Sequence, residues 1–113
     1  MKHQFHSVPG EIQSLIKKLG RNIRMARVRR AIPLSAMAAK VGVTRKTMME
    51  IEQGKPGSAL ASYVTALWVL GLHDPLTRIA DPDTDEHGKL LESARQPQRV
   101  RQHPSTSAHD YDF

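Results

Sequence analysis

The sequence predicts an all-α fold, and three observations carry that prediction. Apolar residues recur at spacings of three and four along most of residues 12–72, the period that lines one face of a helix. No stretch shows the strict alternation of a half-buried strand, and no internal repeat is present. Pro33, Gly42, Gly54 and Gly71 punctuate the periodic segments at their ends, where helices start and stop.

Taken in order, the first helix follows Ser7-Val8-Pro9 and carries Ile12, Leu15, Ile16, Leu19, Ile23 and Ala26 on its stripe. Gly20 weakens its middle, so one helix and two helices jointed there both fit the pattern. Arg29 and Arg30 close it, where cations suit the helix dipole. Pro33 fits the first turn of a second helix, because its missing N–H is not needed there. Leu34, Met37, Ala38 and Val41 form that helix's stripe, and Gly42 stops it. Thr44 is a favourable N-cap for a third helix over 44–53, which buries Met48 and Ile51 and ends at Gly54.

Lys55-Pro56-Gly57 reads as a turn. Ser58 is expected to cap a fourth helix with Leu60, Tyr63, Val64, Leu67 and Trp68 inward, ending at Gly71. A short fifth helix is expected over 75–80, capped by Asp74, and Asp81-Pro82-Asp83 breaks it. A weak further helix fits 84–94 despite Gly88. The organisation is therefore a flexible N-terminus over 1–10, a helical domain over 11–80 and a C-terminal extension over 81–113. The distal part of that extension is polar, contains proline and is expected to be disordered.

Composition narrows the function. At 113 residues the chain holds one small domain plus tails, too little for a two-domain enzyme. It has no cysteine, which excludes disulfide scaffolds, thiolate zinc sites and cysteine nucleophiles, and fits a reducing, cytoplasmic setting. The formal net charge is +6, unevenly spread: residues 1–57 hold 12 Lys/Arg against 3 Asp/Glu, and residues 58–113 hold 5 against 8. The basic half is the expected polyanion face, with nucleic acid the first partner class and anionic membrane the second. The N-terminus has no apolar signal region. The apolar part of the longest uncharged run, 59–72, would reach only about 21 Å as a helix, short of a hydrocarbon core of about 30 Å.

Two short helices joined at a glycine, the second basic and polar, suggest a helix-turn-helix, although an ordinary helical bundle shares that outline. The residues themselves go further. Leu19-Gly-Arg-Asn-Ile23-Arg-Met-Ala26-Arg27 is followed by Met37-Ala-Ala-Lys-Val-Gly42-Val43-Thr44-Arg-Lys-Thr-Met48-Met-Glu-Ile51-Glu52-Gln-Gly54-Lys55. Over about 19–72 this resembles the Xre/phage-repressor (Cro/C1-type) helix-turn-helix family. The resemblance implies a five-helix lambda-repressor-like domain whose third helix lies in the major groove of double-stranded DNA. It implies base contacts from Arg45, Lys46 and Glu50, and phosphate contacts from Thr44, Thr47, Gln53 and Lys55.

General chemistry is compatible with those roles. Arg bonds guanine O6 and N7 bidentately, and Lys also reaches guanine. Hydroxyl, amide and ammonium groups donate to phosphate, which positions a protein without reading sequence. Glu50 suits cytosine N4, but it equally suits repulsion of wrong phosphate geometry or simple exposure. The sequence departs from the family at the start of the second helix. Many members carry a hydroxyl cap and a phosphate-binding Gln there, and this chain has Pro33-Leu34. Either backbone N–H groups of that helix end substitute, or DNA affinity is lowered.

Arg27 lies on the buried stripe of the first helix and Glu52 on that of the third. Charges on facing apolar stripes must pair or be expelled, and the family resemblance implies the same bridge, so both are read as structural. Met25, Met37, Met48 and Met49 are expected mostly as core fillers, and Trp68 as core. His3 and His6 have a metal-like spacing without completing ligands, and Asp81, Asp83, Asp85 and Glu86 lack the glycine and distal glutamate of a calcium loop. No nucleophile–base–orienter set is visible, so no enzyme, cofactor or metal is expected.

The stretch from Asp81-Pro82 through Asp85, Gly88 and Glu92 to Pro97-x-Arg99-Val100-Arg101 is similar to tails of HipB-like antitoxins, which pair with HipA-like kinase toxins. A solvated extension is the plain alternative. The expected function is a homodimeric DNA-binding autorepressor and antitoxin. The alternatives are a stand-alone repressor or, less in keeping with the charge layout, a membrane-surface binder.

Overall fold

A computed structural model describes residues 8–95. Among them the chain is all-helical: α1 (Gly10–Arg29), α2 (Leu34–Val41), α3 (Arg45–Gln53), α4 (Leu60–Val69) and α5 (Glu86–Arg95), with a 3-10 turn over Asp74–Arg78. Two compact units divide between Leu76 and Thr77. The flexible N-terminus is expected over 1–10, but Gly10 already belongs to α1; residues 1–7 and the distal extension expected to be disordered, 103–113, lie outside the described residues.

In the first unit, α1 runs unbroken through Gly20, so the second helix joint is absent. Gly20 is buried, and its lack of a side chain lets α1 approach the end of α3: a Cβ there would stand 2.6 Å from the Ile51 carbonyl oxygen. The shared core is Ile23 and Ala26 of α1, Met37 and Ala38 of α2, Met48 and Ile51 of α3, Tyr63 and Ala66 of α4, and Leu70. Ile12 and Leu15, expected on the buried stripe, are exposed. The reason is length: α1 extends about 30 Å while α3, which it packs against, extends about 14 Å, so the first turns of α1 overhang.

The helix ends follow local chemistry with two corrections. Pro33 is the N-cap of α2 rather than its first helical residue, and its carbonyl accepts from Met37 N at 2.9 Å. Ser58 does not cap α4; Ala59 holds that position without a side-chain bond, while Ser58 N closes the preceding turn onto Lys55 O at 3.2 Å. The expected fifth helix over 75–80 is the shorter 3-10 turn over Asp74–Arg78, with Ala80 in a left-handed conformation (φ 61°) soon after.

Gly42, Gly54 and Gly71 all adopt left-handed φ just past their helices. The α1 terminus has the same geometry without a glycine. Ala31 N bonds Val28 O at 2.9 Å and Ile32 N bonds Arg27 O at 3.2 Å, the paired bonds of a Schellman motif. Ala31 sits at φ 54°, where a Cβ costs about 1–2 kcal/mol. Ala31→Gly is therefore expected to stabilise the chain by up to about 1 kcal/mol after the larger unfolded-state entropy of glycine is subtracted. A higher urea midpoint at unchanged slope is the readout, and a lower midpoint would contradict the strained assignment.

Helix α4 presents a different face from the expected one. Tyr63, Ala66 and Leu70 point inward, whereas Leu60 and Trp68 are exposed and Val64 and Leu67 half-buried. The helix is apolar nearly all round, so periodicity alone could not choose. The Tyr63 hydroxyl donates to the Lys55 carbonyl at 3.2 Å, which requires Tyr63 to face the preceding loop. Burial raises the Tyr63 phenol above its usual pKa, opposed by a hydrogen bond with Ser58.

In the second unit, Asp83 N bonds Asp81 Oδ1 at 2.9 Å, closing a turn at the Asp-Pro-Asp sequence expected to break the preceding helix. Asp85 caps α5, its Oδ1 accepting from Gly88 N at 2.9 Å. Gly88 is thus compatible with the helix because the capping carboxylate occupies the space where its Cβ would go. Helix α5 buries none of its residues.

Candidate nucleic-acid interface

Helices α2 and α3 form a helix-turn-helix through Gly42 and Val43. Gly42 at φ 87° ends α2, and Thr44 starts α3 by accepting from Thr47 N at 3.0 Å. Only Gly42, Val43 and Thr44 separate the two helices, so the orientation of α3 is set by few torsions.

The inward side of α3 carries Met48 and Ile51, both fully buried, and Glu52, which is 7% exposed. Glu52 meets Arg27 of α1 in a two-pronged contact. Arg27 Nε donates to Oε2 at 2.6 Å and Nη2 to Oε1 at 3.0 Å. The remaining nitrogen, Nη1, donates to the Ile32 carbonyl at 2.9 Å. The pairing raises the Arg27 pKa further above its ordinary value, with the Glu52 hydrogen bonds the largest cause and desolvation opposing them. One guanidinium therefore ties α1, the α1–α2 loop and α3 together. No buried side-chain nitrogen or oxygen among the described residues lacks a partner.

The outward side of α3 is polar. Arg45, Lys46, Gln53 and Lys55 are exposed, with Thr47 and Glu50 half-buried. Lys46 and Glu50 form an i,i+4 pair at 3.5 Å. Being open to water, that pair contributes little stability, and both members are free to exchange it for another contact. Thr44 is more committed: its hydroxyl accepts from Thr47 N and donates to the Thr47 hydroxyl at 3.0 Å. Of these two threonines, Thr47 keeps the available proton.

Between Glu11 and Asp74 the only acids are Glu50 and Glu52, and each is engaged by a cation. The exposed Lys17, Lys18, Arg21, Arg24, Arg45 and Lys55 thus dominate the field of this unit. Leu34, at the departure from the family pattern, packs against the core.

Two methionines differ from expectation. Met37 and Met48 are buried, but Met25 and Met49 are 49% and 37% exposed. Met49 lies one turn from Arg45, whose Nη1 is 3.9 Å from its sulfur. Sequence reading missed it because methionine is apolar and the neighbouring Met48 is core. The close approach of Gly20 and Gly54 was also missed; a glycine inside an otherwise regular helical pattern was its only local signal. His3 and His6 lie outside the described residues, and among the described ones no three metal-binding side chains converge. No described helix is long and apolar enough to cross a membrane.

Comparison with family models, with curated proteins and with solved structures gives no significant match.

Proposed function

We propose that this chain is a sequence-specific double-stranded-DNA-binding transcriptional regulator that reads the major groove with α3. The observation that carries the reading is the two-sided character of α3. A buried ion pair anchors one side, and the other offers Arg45, Lys46, Glu50 and Gln53 to a partner, with both acids of α3, Glu50 and Glu52, already paired with cations. In this reading Arg45 and Lys46 meet base edges, Glu50 accepts from cytosine N4 after leaving Lys46, and Thr47, Gln53 and Lys55 donate to phosphate.

The test separates the two kinds of contact on a duplex selected from a randomised pool. Arg45→Ala is expected to cost about 1–3 kcal/mol on the selected duplex and little on random DNA. Lys55→Ala is expected to weaken both alike and to lower the salt slope by about one. Wild-type affinity should fall steeply between about 50 and 200 mM salt. A flat salt response removes the DNA reading, and equal effects of the two substitutions on specificity overturn the assigned orientation of α3.

The separate C-terminal unit supports a second role, as the antitoxin of a HipA-like kinase toxin. Charge changes sign along the chain, with the excess of acids after residue 57, and acids are disfavoured beside phosphate. Deleting residues 95–113 is expected to leave operator affinity and salt slope unchanged while a co-expressed kinase toxin is no longer neutralised. A slope lower by about two would instead assign Arg99 and Arg101 to DNA.

A further inference from the structure

On α3, Arg45, Met49 and Gln53 stand at i, i+4 and i+8, which places them on one ridge of the helix. In the proposed reading the first of them meets base edges and the last meets phosphate, and the one between has no role. Met49 is 37% exposed, while Met48 and Ile51 fill α3's share of the core. Its sulfur lies 3.9 Å from Arg45 Nη1, so the thioether and the guanidinium lie side by side. A singly exposed apolar side chain is ordinary on a protein surface. This one is distinguished by its place, as the one apolar residue among Arg45, Lys46, Met49, Glu50 and Gln53 on the outward side of α3.

We infer that Met49 is a further specificity-determining residue, whose thioether contacts the 5-methyl group of a thymine beside the base pair that Arg45 reads. The inference rests on the proposed DNA reading. A ridge that runs from a base contact to a phosphate contact holds its middle residue against the groove. The base edges there present hydrogen-bond donors and acceptors, and the thymine methyl is the one apolar group among them. A thioether donates nothing and accepts only weakly. Against the cytosine amino group it therefore takes away water without replacing the hydrogen bond, a net cost. Against the thymine methyl both partners lose only unfavourable apolar hydration, a net gain. The unbranched, flexible methionine side chain adapts to the position of that methyl. Residues four apart advance about 6 Å along a helix, and base pairs stack about 3.4 Å apart. The thymine accordingly lies within about two base pairs of the guanine that Arg45 contacts.

The test uses the full chain and duplexes selected from a randomised pool. The guanine of Arg45 is the position at which Arg45→Ala relaxes specificity. Each thymine within two base pairs of it is then replaced in turn by deoxyuridine, which removes the methyl and leaves every hydrogen-bonding group in place. One such replacement is expected to weaken wild-type binding about fourfold, the worth of one buried methyl group. Met49→Ala is expected to bind the thymine and uracil duplexes alike, and Met49→Leu to keep the preference for thymine. Circular dichroism and the urea midpoint of both variants should match the wild type, because the core is complete without Met49. A wild type that depends on Arg45 for specificity yet is indifferent to uracil at every such position overturns the inference and leaves the DNA reading standing. Selected duplexes without a thymine in that interval have the same consequence, as does a uracil penalty equally large in Met49→Ala, which would assign the methyl to another residue. A chain that selects no sequence overturns both.

Discussion

Gly54→Ala is expected to cost more than about 3 kcal/mol, and Gly20→Ala about 1–3 kcal/mol, though for different combinations of reasons. Gly20 sits inside α1, where alanine is ordinarily the better helix former by about 1 kcal/mol. Its new Cβ would meet the Ile51 and Glu52 carbonyl oxygens at 2.6 and 2.7 Å and Gly54 N at 2.8 Å. These are backbone atoms at the end of α3, so relief requires the two helices to separate. Gly54 faces the same contact from the other side. A Cβ there would overlap the Lys17 Cα and stand 2.8 Å from Lys17 N, and its φ of 74° adds conformational strain. Urea unfolding of both variants is the measurement. A stabilised Gly20→Ala would show that α1 and α3 do not approach this closely.

Removing one member of the Arg27–Glu52 pair is expected to destabilise by about 3–5 kcal/mol, because the remaining charge is buried without its counter-ion. That is a large share of the roughly 5–15 kcal/mol by which native domains are stable. Arg27→Met also leaves the Ile32 carbonyl without its 2.9 Å donor, so it should cost more than Glu52→Gln, which retains a carbonyl acceptor. Replacing both residues by apolar ones is expected to recover much of the loss, since a well-packed apolar pair matches a buried ion pair in stability. Additive losses in the double-mutant cycle would show that the two side chains do not interact. The same substitutions bear on function, because this pair sets how α3 is held against α1.

The extent to which these features were readable in advance depended on the distance over which their causes act. Thr44, Gly42, Gly54 and Gly71 carry their meaning within a few residues. A hydroxyl bonds a backbone N–H three positions on, and a glycine accepts left-handed φ, so the start of α3 and the ends of α2, α3 and α4 followed from local chemistry. Arg27 and Glu52 were readable at longer range for a different reason. A charge on an otherwise apolar stripe has so few acceptable fates that two of them on adjacent helices predict each other.

Where several arrangements satisfied the same local rules, packing made the choice. Helix α4 is apolar nearly all round, and the packing buries Tyr63, whose hydroxyl bonds the Lys55 carbonyl, while Trp68 is left outward. Met48 and Met49 are chemically identical neighbours, yet the pitch of α3 buries the first and exposes the second. Gly20 looks like a weakness in α1 until α3 lies against it, and Ala31 looks unremarkable until the chain must reverse after Arg30. Composition, the all-helical class and the polar character of α3 follow from residue order, because propensity and periodicity are local. Which faces touch, which glycines are indispensable and which apolar side chains remain in water depend on contacts between residues distant in the chain, and those exist only once the helices have packed.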